Sequence, residues 1–92
     1  MDVIVQHRVK DPEFFFADIP GVAKNAPVGV QPLQFCPSQD RTAAVCLWRA
    51  DSIELVRAYL DSVTGDAAEN TYFEVSREHA IGLPEATSAG AV

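Results

Sequence analysis

A chain of 92 residues, 48% of them hydrophobic, suits one small domain and is too apolar to be disordered. Seven basic residues face thirteen acidic ones, for a formal charge of −6 with no run of Lys or Arg; this excludes sequence-independent binding to a phosphate backbone and electrostatic adhesion to an anionic membrane. No stretch reaches the roughly 18 apolar residues of a membrane span and residues 1–5 do not read as a signal sequence, so a cytoplasmic protein is expected.

In chain order, Val3, Val5, His7 and Val9 alternate with Ile4, Gln6 and Arg8, which predicts a first strand over residues 2–9. Asp11-Pro12-Glu13 is a helix start, with Asp11 as cap and Pro12 in the first turn. That helix is expected to carry Phe14, Phe15, Phe16 and Ile19, to be interrupted at Pro20-Gly21 and to resume through Asn25. Three consecutive phenylalanines cannot share one helical stripe, so at least one is free for an interface or a pocket wall. A second strand follows over 30–36, with Leu33 and Phe35 on one face and Gln34 and Cys36 on the other; Pro32 marks an edge or an irregular beginning. After the turn at 37–40, residues 41–49 form a third strand in which Val45 and Leu47 oppose Ala44, Cys46 and Trp48. Asp51 is expected to cap a second helix over 52–63, with Glu54 completing a capping box and Ile53, Val56, Leu60 and Val63 forming its apolar stripe. Gly65 ends it, and a last strand spans 69–76.

This order predicts an α/β (α+β) fold, a ferredoxin-like βαββαβ sandwich whose antiparallel sheet carries two helices on one face. The domain is expected over residues 1–83, followed by a flexible tail over 84–92 rich in Ala, Ser and Gly. The face without helices is expected to bear Ile4, Cys46, Trp48 and Tyr72, and so to need a covering partner, which makes the chain a homodimer. Cys36 and Cys46 are too few for a disulfide scaffold and are read as two buried, reduced thiols acting as small hydrophobes.

The strand Val3-Ile4-Val5-Gln6-His7, the run Ala44-Val45-Cys46-Leu47-Trp48 leading into Asp51-Ser52, and the closing Glu69-Asn70-Thr71-Tyr72-Phe73-Glu74-Val75 together resemble the dimeric α/β-barrel superfamily over about residues 2–82. Within it the chain resembles the antibiotic-biosynthesis monooxygenase-like proteins and the small nickel-responsive proteins. The second differs from this chain near Gly65-Asp66-Ala67, where its pattern has a histidine. The resemblance implies a barrel made by two subunits packing their sheets face to face.

No phosphate-binding glycine loop, Gly-x-Ser-x-Gly elbow or Cys-x-x-Cys pair is present, so no nucleotide, serine-hydrolase or dithiol chemistry is indicated. His7, in mid-strand, is the candidate catalytic residue, a base with a pKa near neutrality; the competing reading is a partly buried imidazole held by a neighbouring strand. Trp48 and Tyr72 can form an aromatic wall, Gln6, Gln34 and Asn70 can orient a ligand, and Glu74 completes the ligand-binding candidates. His7 with Cys36 or Cys46 is a conceivable soft-metal set without close ligand spacing, so neither metal nor cofactor is expected. His79 reads as an exposed histidine beyond the last strand. The expected function is a small-molecule-binding homodimer, a cofactor-independent monooxygenase or isomerase acting on an aromatic or polyketide-like compound. The alternatives are a non-enzymatic metal-binding or stress-response protein and a structural dimer.

Overall fold

The computed structural model describes residues 1–84. Its four strands, β1 (Asp2–Val9), β2 (Val30–Pro37), β3 (Ala43–Ala50) and β4 (Ala68–Glu74), form one sheet in the order β2-β3-β1-β4. All pairings are antiparallel. This is the ferredoxin-like order, but the sheet is open: β2 and β4 are its edges and do not pair with each other. The expected barrel is therefore not formed, because closure requires the edge strands to find partners and a staggered register. The tail expected after residue 83 lies, from residue 85 onward, outside the described residues.

The first helical segment is two short helices, α1 (Pro12–Phe15) and α2 (Ile19–Lys24), rather than one helix broken at Pro20. Asp11 caps α1 by accepting from the Phe14 amide at 3.2 Å, and Asp18 caps α2 by accepting from the Gly21 amide at 3.1 Å. Pro20 thus sits in the first turn of α2, where a missing N–H costs nothing, and starts a helix instead of interrupting one. The long helix α3 (Ile53–Thr64) is capped by Ser52, whose hydroxyl accepts from the Leu55 amide at 3.3 Å; Asp51, the expected cap, lies one position too early. Gly65 closes α3 at φ +52°, a backbone conformation that favours glycine.

The register decides which residues share a face. Val5 lies opposite Cys46 on β3 and Tyr72 on β4, and Val3 opposite Trp48 and Glu74. Directly paired residues project to the same side of a sheet, so Trp48, Cys46 and Tyr72 share the face of Val3, Val5 and His7. That is the helix-covered face: Val3, Val5, Cys46 and Trp48 form one buried cluster with Val56 and Leu60 of α3. The expected dimer surface, built on Trp48 and Tyr72, is therefore already occupied by the chain's own helices. The opposite face presents Ile4, Leu47, Val45 and Phe73, the last two 40% and 48% exposed. Cys36, read as buried, is exposed on edge strand β2, whereas Cys46 is buried.

At one end of the open face Asp2 is fully buried. It accepts from Arg49 Nε at 2.6 Å, and Arg77 Nε stands 3.1 Å from its second oxygen. The Arg49 hydrogen bond holds the Asp2 carboxyl below the usual range, with the charges of Arg49 and Arg77 helping. A depressed carboxyl contributes stability above its unfolded value, and that contribution disappears as pH falls through the folded value. Arg77 is 64% exposed and adds little. Asp2→Asn should lower stability at pH 7 by about 1–3 kcal/mol. In urea melts taken from pH 7 to pH 3 the gap from the parent chain should narrow; a constant gap would contradict the ion pair as its source.

Candidate functional site

The period of two along β1 aims His7 into the space between the sheet and the helices, where it is 4% exposed. Its Nδ1 lies 2.6 Å from Asn70 Oδ1 and its Nε2 lies 3.0 Å from Cys46 Sγ. The proton positions follow from the far end of this chain of contacts. Asn70 Nδ2 donates to Asp61 Oδ1 at 3.1 Å and to Thr64 Oγ1 at 2.9 Å. A carboxylate can only accept, so the Asn70 amide is oriented with its oxygen toward His7. His7 must then carry its proton on Nδ1, which leaves Nε2 as an acceptor for the Cys46 thiol. Tyr72 donates to the same Asp61 oxygen at 2.5 Å. Thr64 in turn donates to the Leu60 carbonyl at 2.9 Å.

Burial keeps this assembly uncharged. It lowers the His7 pKa, against smaller opposing effects from Asn70 and Asp61. It pushes the Cys46 thiol up to about 12. The Trp48 indole, which lies against the sulfur, opposes that rise. The trio of thiol, imidazole and amide has the connectivity of a nucleophile, base and orienter, but its surroundings disfavour the thiolate–imidazolium pair that nucleophilic attack would use.

Above this floor opens a cleft of about 500 Å³ between the sheet, the α1–α2 segment and the carboxyl-terminal half of α3. His7, Cys46 and Trp48 form its deep end, and Phe15, Phe35 and Leu60 are among the apolar walls. Phe15 meets the His7 ring edge-on at 5.0 Å and lies 6.3 Å from Phe35. The irregular register of β2 between Pro32 and Gln34 places Leu33 on the cleft wall and exposed Gln34 at its rim. Phe14, 60% exposed, lies at the mouth, the second kind of contact expected of one of the three phenylalanines. Tyr59 donates to the Val22 carbonyl at 2.6 Å and so ties α2 to α3.

Of the residues singled out from the sequence, His7, Trp48 and Gln34 line the cleft, and Asn70 stands behind His7. Tyr72 is the outer end of the hydrogen-bond chain, with Arg57 over its ring at 5.2 Å. Gln6 is on the opposite sheet face, accepting from Thr71 at 3.3 Å, and exposed Glu74 is at the end of edge strand β4; neither lines the cleft. His79 is exposed and contacts Ser76 at 3.0 Å. Sequence reasoning passed over Asp61 and Thr64. Their signal is their spacing of three on α3, which puts both on the side facing β4. Among the described residues, no three His, Cys, Asp or Glu side chains cluster as metal ligands.

Neither a family model nor any curated protein matches the chain. The resemblance to dimeric α/β-barrel monooxygenase-like and nickel-responsive proteins is thus corrected on two grounds: no sequence match supports it, and the sheet is open. No described helix is long and apolar enough to cross a membrane.

Two predictions follow from the buried floor. With its folded pKa below the ordinary value of about 6.5, His7 stays neutral while the unfolded chain takes up a proton, so its contribution to stability falls as pH drops between those two values. His7→Gln should cost about 1–3 kcal/mol at pH 7 and flatten the pH dependence of stability between pH 7 and 5; an unchanged slope would show that His7 does not titrate as its burial requires. In native protein at pH 8, a thiol reagent should label exposed Cys36 rapidly and buried Cys46 only on unfolding. Fast labelling of both would contradict the protonated, inaccessible state of Cys46.

Proposed function

We propose that the chain is a small-molecule-binding domain whose ligand, a compact and mainly apolar aromatic molecule, occupies the cleft between the sheet and the α1–α2 segment. The observation that carries this reading is the cleft itself. About 500 Å³ lies within the range of ligand sites. Its lining follows the usual plan of such sites: aromatic and aliphatic walls with few polar groups.

Binding is favoured over catalysis by the state of the polar groups. A general base needs a free lone pair, and the His7 Nε2 lone pair is engaged by the Cys46 thiol. Metal binding is less supported. A tetrahedral ion with ordinary bond lengths to imidazole and thiolate would hold N and S roughly 3.6 Å apart, farther than the 3.0 Å between His7 and Cys46, and would also require losing a proton from a thiol with a pKa of about 12. Self-association remains part of the proposal as the homodimer expected from the sequence, to be checked by mass in solution at micromolar protein.

Trp48, the single tryptophan, makes the test direct because its emission reports on the deep end of the cleft. N-phenyl-1-naphthylamine, an uncharged fluorescent aromatic, should bind with a Kd of about 1–100 μM and quench Trp48. Ala23→Phe, which narrows the mouth from the exposed side of α2, should weaken binding at least about fivefold while leaving the melting temperature unchanged. Binding unaffected by that substitution, or no binding up to about 1 mM, would overturn the proposal.

A further inference from the structure

We infer that the ligand is an uncharged aromatic molecule with a single polar group, which enters apolar end first and leaves that group at the mouth; this rests on the reading of the cleft as a binding site. At the deep end, His7 has both ring nitrogens engaged, and Cys46 gives its S–H to one of them. The Thr64 hydroxyl donates to the Leu60 carbonyl and accepts from Asn70. The indole N–H of Trp48 is buried and its ring lies against the Cys46 sulfur, so it is out of a ligand's reach. The remaining polar side chains of the lining, Asp18 and Gln34, are both exposed.

A hydroxyl, amine or carbonyl carried to the deep end would therefore give up water and find every polar side chain there already committed. That loss is costly. A methyl group or ring edge gives up nothing and gains contact with the apolar walls at Phe15, Phe35 and Leu60. The mouth sets the opposite condition. Phe14, Ala17 and Asp18 are exposed there, so a polar group on the outer end of the ligand keeps its water. The two ends of one bound molecule thus meet different rules.

Charge narrows the class further. No Lys or Arg lines the cleft, and the one carboxylate of the described lining, Asp18, has the sign of the chain's net charge of −6. A ligand carboxylate would meet like charge at the mouth, and at the deep end a thiol and an imidazole held neutral by burial. Asp18 already accepts from the Gly21 amide at 3.1 Å, and an ion pair in so exposed a place contributes little. An ammonium group therefore gains no more than a hydroxyl. What fits is a neutral arene, polar at one end only.

The test makes the same methyl-to-hydroxyl exchange twice in one molecule and uses the parent chain throughout. Binding of 2,6-dimethylnaphthalene, 6-methyl-2-naphthol and 2,6-dihydroxynaphthalene is measured at pH 7 by displacement of N-phenyl-1-naphthylamine. The first hydroxyl lies at the mouth and should weaken binding less than about threefold; the second is forced inward and should weaken it more than about thirtyfold. Comparing the two steps cancels the ordinary difference in water affinity between methyl and hydroxyl. In magnetic resonance spectra, the methyl protons of bound 6-methyl-2-naphthol should show Overhauser contacts to Trp48 and Leu60 and none to exposed Ala17. Neither 2-naphthoate nor 2-naphthylmethylammonium should bind more tightly than the matched alcohol 2-naphthalenemethanol, and the carboxylate should be at least about tenfold weaker. Two equal steps, methyl contacts to Ala17 instead, or either ion bound more tightly than the alcohol would overturn the inference and leave the cleft as a binding site. Failure of every compound to bind would remove the cleft reading itself.

Discussion

Everything distinctive about this molecule depends on the register of β1, one of the two inner strands. β1 is paired on both sides, so one alignment with β3 and one with β4 fix which side chains look toward the helices. Val3 and Val5 anchor the core, and the next residue of the same parity, His7, is carried into a dry space beside Cys46 and Asn70. A slip of one residue in either pairing would turn His7 to the open face and send Gln6 inward. The complete burial of Val3 and Val5 opposes such a slip, because exposing both would cost several kcal/mol.

The consequence is a polar chain built inside an apolar layer. It runs from the Cys46 thiol through His7 and Asn70 to Asp61, with Tyr72 closing on the same carboxylate from β4. Each inner member has a partner, so burial costs the chain little beyond the desolvation that its hydrogen bonds offset. Asp61, exposed on α3, is the member that carries charge, and it holds the direction of the hydrogen bonds inward from solvent. Trp48 flanks this arrangement, beside the Cys46 thiol and edge-on to Tyr59 with ring centres 6.1 Å apart.

Much of the fold was legible in the sequence because strand periodicity and turn residues are local signals. β1 matched its expected limits, and β2, β3 and α3 differed by a residue or two. The faces were not legible, since alternation shows that Cys46 and Trp48 share a side of β3 without saying which side the helices cover. That information lives in the pairing of Val3 with Trp48 and of Val5 with Cys46, a long-range property. The misplacement of Trp48 and Tyr72 on the bare face, and with it the barrel, came from that gap. Pro20 shows a different limit: a proline in the first turn and one that interrupts a helix look alike until the cap at Asp18 is seen. For the site, His7 was visible as a polar residue in an apolar strand, and Asn70 as a polar residue in the last strand. The roles of Asp61 and Thr64 were hidden because they depend on how α3 lies against β4.

The measurement that bears most directly on this account is a crystal structure of the protein grown with N-phenyl-1-naphthylamine. The account predicts the aromatic rings between Phe15, Phe35 and Leu60, with the His7–Cys46 and His7–Asn70 contacts intact. A cleft closed by the α1–α2 segment, or the compound bound on the open sheet face beside Val45 and Phe73, would contradict it.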